Sequence, residues 1–227
     1  MKLVVCGDSF MSADVHRPET HFSELLENHG HSVINLARGG MSNTGIGFQI
    51  ETAIQLKPDV IVFNSTSSDR IDIVIKNRKF NPAKGLKNFV YPYTSDQSTG
   101  SEYVGGVNSA ILSDVIPAFL SPRPDLPIEL HDPERSELVK QYLALFHDTN
   151  LKVTLDSWML GYWKYKLKEM QIPFIYLPNG GAIGQHMYDY VNKYPDKCNQ
   201  CVYHTDEHTQ TLMTQEIVTE LSRLEIL

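Results

Sequence analysis

Ser9 ends the tripeptide Gly7-Asp8-Ser9, which follows directly on the apolar run Lys2-Leu3-Val4-Val5-Cys6. Such a run reads as a short buried strand. Gly7 is expected to let the chain turn sharply as the strand ends. The serine would then stand at the strand's C-terminal tip, the edge where open α/β sheets hold their ligands. A hydroxyl placed there becomes a nucleophile once a base takes its proton. The segment Tyr203-His204-Thr205-Asp206-Glu207-His208 offers that base. A carboxylate at Asp206 would fix the tautomer of His208 while the other ring nitrogen serves Ser9. The chemistry implied is acyl transfer through a serine, with chain order Ser, Asp, His.

Other readings of these residues compete. Asp8 in a strand-ending turn would cap nearby backbone N–H groups, and Asp206 would N-cap the final helix. Cys198, Cys201, His204 and His208 are all zinc-ligand types, although only two residues separate Cys201 from His204. The glycine-rich stretch 39–47 lacks both Gly-x-Gly-x-x-Gly and a Gly-Lys-Ser/Thr ending, so it does not read as a phosphate loop.

The elements that would position Ser9 and His208 follow from local pattern. Pro18-Glu19 marks a helix start, and Gly30 ends that helix. Ser32–Leu36 reads as a second strand, followed by the loop Arg38-Gly39-Gly40-Met41 and a helix capped by Ser42 or Asn43 that runs to about Lys57. Val60–Asn64 is a third strand. Strands alternating with helices indicate βαβ units and a parallel sheet. The post-strand loops with Ser9, Gly40 and residues 65–70 would then share one sheet edge.

Residues 77–132 are rich in Pro, Gly, Ser, Asn and Tyr and are expected to be an irregular lid or partner-binding insertion. Phe89, Tyr91, Tyr93 and Tyr103 within it would line a cleft or pack the insertion onto the body. Helices are expected over most of 133–170, with Trp158, Tyr162, Trp163 and Tyr165 at near-helical spacing and hence in the core. Ile172–Leu177 reads as a fourth strand, a short fifth would end at Tyr203, and 209–223 form a closing helix.

The chain of 227 residues is long enough for a single domain, 1–227, with a full core. A net charge of -7 argues against a general nucleic-acid surface and against an anionic membrane. The first apolar run is too short for a signal peptide, and no stretch reaches membrane-spanning length. Three cysteines suit a reducing compartment. A cytoplasmic protein is the expectation, with a viral origin left open. Oligomeric state is not legible.

The blocks Gly7-Asp8-Ser9-Phe10, Asn35-Leu36-Ala37-Arg38-Gly39-Gly40, Thr66-Ser67-Ser68-Asp69 and Asp206-Glu207-His208 together resemble those of the SGNH (GDSL-type) hydrolases. The resemblance implies a three-layer α/β/α sandwich around a flavodoxin-like, five-stranded parallel sheet, with the 77–132 insertion added. It also implies a serine esterase with Ser9, Asp206 and His208 as the catalytic residues. The oxyanion hole would be made by the N–H groups of Ser9 and Gly40 and a side chain after the third strand. Ser68 stands where the family has asparagine, and Asn64 is the nearby amide that would substitute. No cofactor is called for. The expected substrate is a small-molecule or glycan ester, and no substrate-binding residue is legible. The alternative is an SGNH-fold binding or structural module, catalytically impaired and using the insertion as its contact surface.

Overall fold

Alternation along β1 (Lys2–Cys6) sends its side chains to two different cores. Leu3 and Val5 pack on one face of the sheet, and Val4 and Cys6 on the other. The same division holds in β3 (Val60–Asn64), where Val60 and Val62 oppose Ile61 and Phe63. A strand apolar on both faces must be covered on both, the mark of a parallel α/β sheet. The computed structural model describes residues 1–12, 20–38, 41–76, 89–90, 109–115, 133–181, 183–184 and 207–224.

Among these residues the main sheet has four parallel strands in the order β2-β1-β3-β7, with β2 at Ser32–Asn35 and β7 at Phe174–Leu177. In register, Val4 lies between Ile34 and Ile61, and Val62 between Val5 and Ile175. The fifth strand expected to end at Tyr203 lies outside the described residues. α1 (Phe22–Asn28) and α5 (Glu207–Arg223) cover one face through Phe22, Leu26, Met213, Ile217 and Leu221. α2 (Asn43–Gln55) and α4 (Thr149–Glu169) cover the other through Ile46, Ile50, Leu160, Trp163 and Leu167. Each fully buried aliphatic or aromatic side chain contributes about 1.5–3 kcal/mol. α3 (Pro133–Phe146) precedes α4 across His147 and Asp148. No helix among the described residues is long and apolar enough to cross a membrane.

The ends of these elements follow local rules. Ser42 caps α2 by accepting from the Gly45 N–H at 3.0 Å. Gly30 takes φ +84° just past α1, a left-handed stop open to glycine. α1 begins later than its Pro18 signal predicts. It is capped by His21, whose Nδ1 accepts from the Ser23 N–H.

Two expectations require correction. The sequence reading assigns no strand to 70–76, yet β4 (Arg70–Lys76) pairs antiparallel with β6 (Ser109–Val115), which pairs with β5 (Phe89–Val90). The region read as an irregular insertion thus contributes two strands to a second, three-stranded sheet in the order β4-β6-β5. In β4 the alternation of Ile71, Ile73 and Ile75 with Arg70, Asp72 and Lys76 is itself a local strand signal, which a reading without a strand at 70–76 passes over. Trp158, Tyr162 and Tyr165 are not core residues. Only Trp163 of that group is buried, while the other three are 69%, 53% and 62% exposed. The chain does turn directly after Gly7, though without a positive φ at that glycine. Its side chain is excluded by space, since a Cβ would meet Asn64 Oδ1 at 2.3 Å and Met11 Cγ at 2.5 Å.

Candidate active site at the strand tips

The turn after β1 is built on Asp8, which is fully buried and whose carboxylate accepts three hydrogen bonds and joins one ion pair. Its Oδ1 takes the Phe10 N–H at 3.0 Å and the Asn64 amide at 2.8 Å. Its Oδ2 takes the Thr66 hydroxyl at 2.6 Å and pairs with Arg70 Nη2 at 3.1 Å. A buried carboxylate is tolerable only when so satisfied. The carbonyl of Asp8 also accepts from the N–H groups of Met11 and Ser12, which closes one helical turn over residues 8–12. The N–H of Gly7 donates to Gln49 Oε1 at 2.6 Å. The capping role expected of Asp8 is therefore present, and the tertiary partners add to it.

Ser9 sits half-buried on this turn, with its carbonyl accepting from Ser12 Oγ at 3.2 Å. Among the described residues its hydroxyl and its backbone N–H make no hydrogen bond. A nucleophile and an oxyanion donor would both need that freedom.

The loops after β2 and β3 meet the same turn. The N–H of Arg38 donates to the Gly7 carbonyl at 3.0 Å, and Arg70 Nη1 reaches the Met41 carbonyl at 3.3 Å. Asn43 and Thr66 bond reciprocally, Thr66 N–H to Asn43 Oδ1 and Asn43 Nδ2 to the Thr66 carbonyl, both at 2.9 Å. Asn43 Nδ2 also donates to Asp156 Oδ2 of α4, whose other oxygen is held by Lys152. Gly40 lies outside the described residues, between Arg38 and Met41, which are both anchored to this edge.

Asn64 and Ser68 have different environments. Asn64 is fully buried, and both ends of its amide engage Asp8, since its Oδ1 accepts the Asp8 N–H at 3.3 Å. It is a strut of the turn. Ser68 is half-buried, in an exposed bend between Ser67 and Asp69, and makes no hydrogen bond among the described residues.

His208 is exposed on the first turn of α5. That turn is tied to the start of α1, because Gln210 Oε1 accepts the Phe22 N–H at 2.9 Å. Ser23 Oγ in turn accepts from Asn35 Nδ2, which also donates to the Met11 carbonyl at 2.7 Å. A continuous set of contacts thus links the His208 turn to the Ser9 turn. No hydrogen bond joins His208 to Ser9. Asp206, Cys198, Cys201 and His204 lie outside the described residues.

Sequence reasoning missed Thr66, Arg70, Asn43 and Gln49. A buried Asp8 calls for a cation, but the chain holds 20 lysines and arginines, and nothing local selects Arg70 among them. Scanned against protein-family models and against curated proteins, the chain matches none.

Proposed function

We propose that the chain is a serine esterase of the SGNH type, built as a single three-layer α/β/α domain on a flavodoxin-like sheet of five strands. One observation carries the reading: a fully buried Asp8, held by three hydrogen bonds and an ion pair, fixes a turn in which the Ser9 hydroxyl and N–H stay unbonded among the described residues. In the reaction His208 takes the Ser9 proton as the hydroxyl attacks an ester carbonyl, and Asp206 stabilises the imidazolium. Hydrogen bonds to the apo nucleophile are often long and tighten only with substrate, so the missing His208–Ser9 bond is compatible with this role.

The tetrahedral oxyanion is met by the N–H groups of Ser9 and Gly40 and by the Ser68 hydroxyl. Asn64 is not a third donor in this scheme, because it is fully buried and holds Asp8. Collapse expels the alcohol, which receives the proton from His208. Water then hydrolyses the acyl-enzyme with His208 as base. The substrate is a small-molecule or glycan ester.

A second reading is favoured by the third block. A serine hydroxyl has a shorter reach than an amide, and loss of one oxyanion donor costs roughly a hundred- to a thousandfold in rate. In that reading the chain is an SGNH-fold binding module. Intact-mass analysis after a fluorophosphonate probe, run beside Ser9→Ala, separates the two. A single adduct lost in the variant supports the esterase. No adduct on folded wild-type protein supports the module.

A further inference from the structure

α4 is apolar on two nearly opposite sides. Asp156, Leu160, Trp163 and Leu167 are buried against the body. Leu151, Leu155, Trp158, Tyr162 and Tyr165 form a second row and are 54%, 46%, 69%, 53% and 62% exposed. At 3.6 residues per turn the two rows lie about 150° apart around the helix. The exposed row advances in steps of four, three, four and three residues. That is the spacing of a helix-packing seam, and the buried row, in steps of four, three and four, shares it. Tyr162 is already held edge-on against Trp163, with ring centroids 5.3 Å apart, so part of the seam is ordered in advance.

The area is large for an unpartnered face. An aromatic side chain presents roughly 200 Å² when fully exposed, so Trp158, Tyr162 and Tyr165 together expose on the order of 350 Å². The two seam leucines, 54% and 46% exposed, bring the row to on the order of 500 Å², the larger part of the ~800 Å² that one partner gives a standard interface. Monomers rarely leave contiguous apolar patches larger than a few hundred Å².

The row is also polarised. Its N-terminal half is leucine and its C-terminal half is aromatic. The exposed Asp148 caps the N-terminus, and Lys166 and Lys168 occupy the last turn. A second α4 laid antiparallel would set each leucine layer against a ring layer around a central Trp158 pair and bring Lys168 toward Asp148 of its mate. Small opposite large is the pattern that fills a helix interface. A parallel copy would stack ring on ring and lysine against lysine. A two-fold interface requires this kind of self-complementarity.

We propose that α4 is a homodimerisation helix, with the row from Leu151 to Tyr165 packing antiparallel on the same row of a second copy of this chain. Sedimentation velocity of the full chain tests it over about 1 to 100 µM, a range in which standard-size interfaces associate. The wild type is expected to dimerise. Trp158→Glu and Leu155→Glu, both exposed positions, should each weaken association at least tenfold while far-UV circular dichroism stays unchanged. Lys168→Glu should weaken it several-fold through repulsion from Asp148 of the mate. A wild-type monomer across the range would overturn the proposal and leave the row to a different partner. A dimer that survives Trp158→Glu would overturn it as well, because association would then use another surface. Unchanged association in Lys168→Glu would overturn the antiparallel arrangement.

Discussion

Asp8 and Arg70 form a buried ion pair, Oδ2 to Nη2 at 3.1 Å, between the turn that carries Ser9 and the first residue of β4. The same guanidinium reaches the Met41 carbonyl, so one side chain ties together the segments after β1, β2 and β3. A buried pair of this kind contributes modestly to net stability, but removing one partner strands a charge. Arg70→Met is therefore expected to destabilise by about 3–5 kcal/mol. Asp8→Asn with Arg70→Met should cost less than the sum of the two single variants, since they share one interaction. Urea unfolding of the four proteins measures the coupling, and additive losses would show that the pair is not the source.

Gly7→Ala tests the close approach of the β1 turn to β3. Its Cβ would stand 2.3 Å from Asn64 Oδ1, the atom that receives the Asp8 N–H. Overpacking of this sort costs about 1–3 kcal/mol. Thermal unfolding should show the loss, and fluorophosphonate labelling of Ser9 should slow as the turn shifts. Wild-type values for both would mean that the strand tips have more room than the contacts indicate.

Asn43 is expected to be structural, with no direct part in chemistry. Asn43→Ala leaves the Thr66 N–H and carbonyl and Asp156 Oδ2 without this partner. Each buried polar group left unsatisfied costs about 1–3 kcal/mol. The variant should unfold at clearly lower denaturant, and a midpoint within error of wild type would indicate that water takes over these bonds.

His208 and Gln210, two residues apart on α5, should separate function from stability. His208 is exposed and its side chain makes no hydrogen bond among the described residues, so His208→Ala should keep the wild-type melting temperature while probe labelling collapses. Gln210→Ala removes the acceptor of the buried Phe22 N–H and should cost about 1–3 kcal/mol, with a smaller effect on labelling. Full labelling in His208→Ala would remove that residue from the mechanism.

Cys6 should be chemically silent. It is fully buried in the core between the sheet and α2, and burial pushes its thiol well above the ordinary range. The reactive species is the thiolate, so native protein treated with iodoacetamide should leave the Cys6 peptide unmodified until denaturant is added. Rapid native modification would show that this core opens readily.

The strands and helices around the sheet were legible because their signals are local. Val4, Ile61 and Phe63 sit in short apolar runs, Ser42 precedes a helical pattern, and Gly30 follows one, so each element can be read within a few residues of itself. Ser9 was legible for the same reason, as the residue just past a strand. Asp8's partners were not, because Asn64 and Thr66 stand 56 and 58 positions away in sequence and only the parallel pairing of β1 with β3 brings them near. Period had the opposite limit in α4. It marks apolar rows on a helix, but nothing in the row Trp158, Tyr162 and Tyr165 distinguishes it from the row Leu160, Trp163 and Leu167. Packing on the sheet chose the second row for the core and left the first to solvent, since one helix can turn only one side toward a given sheet.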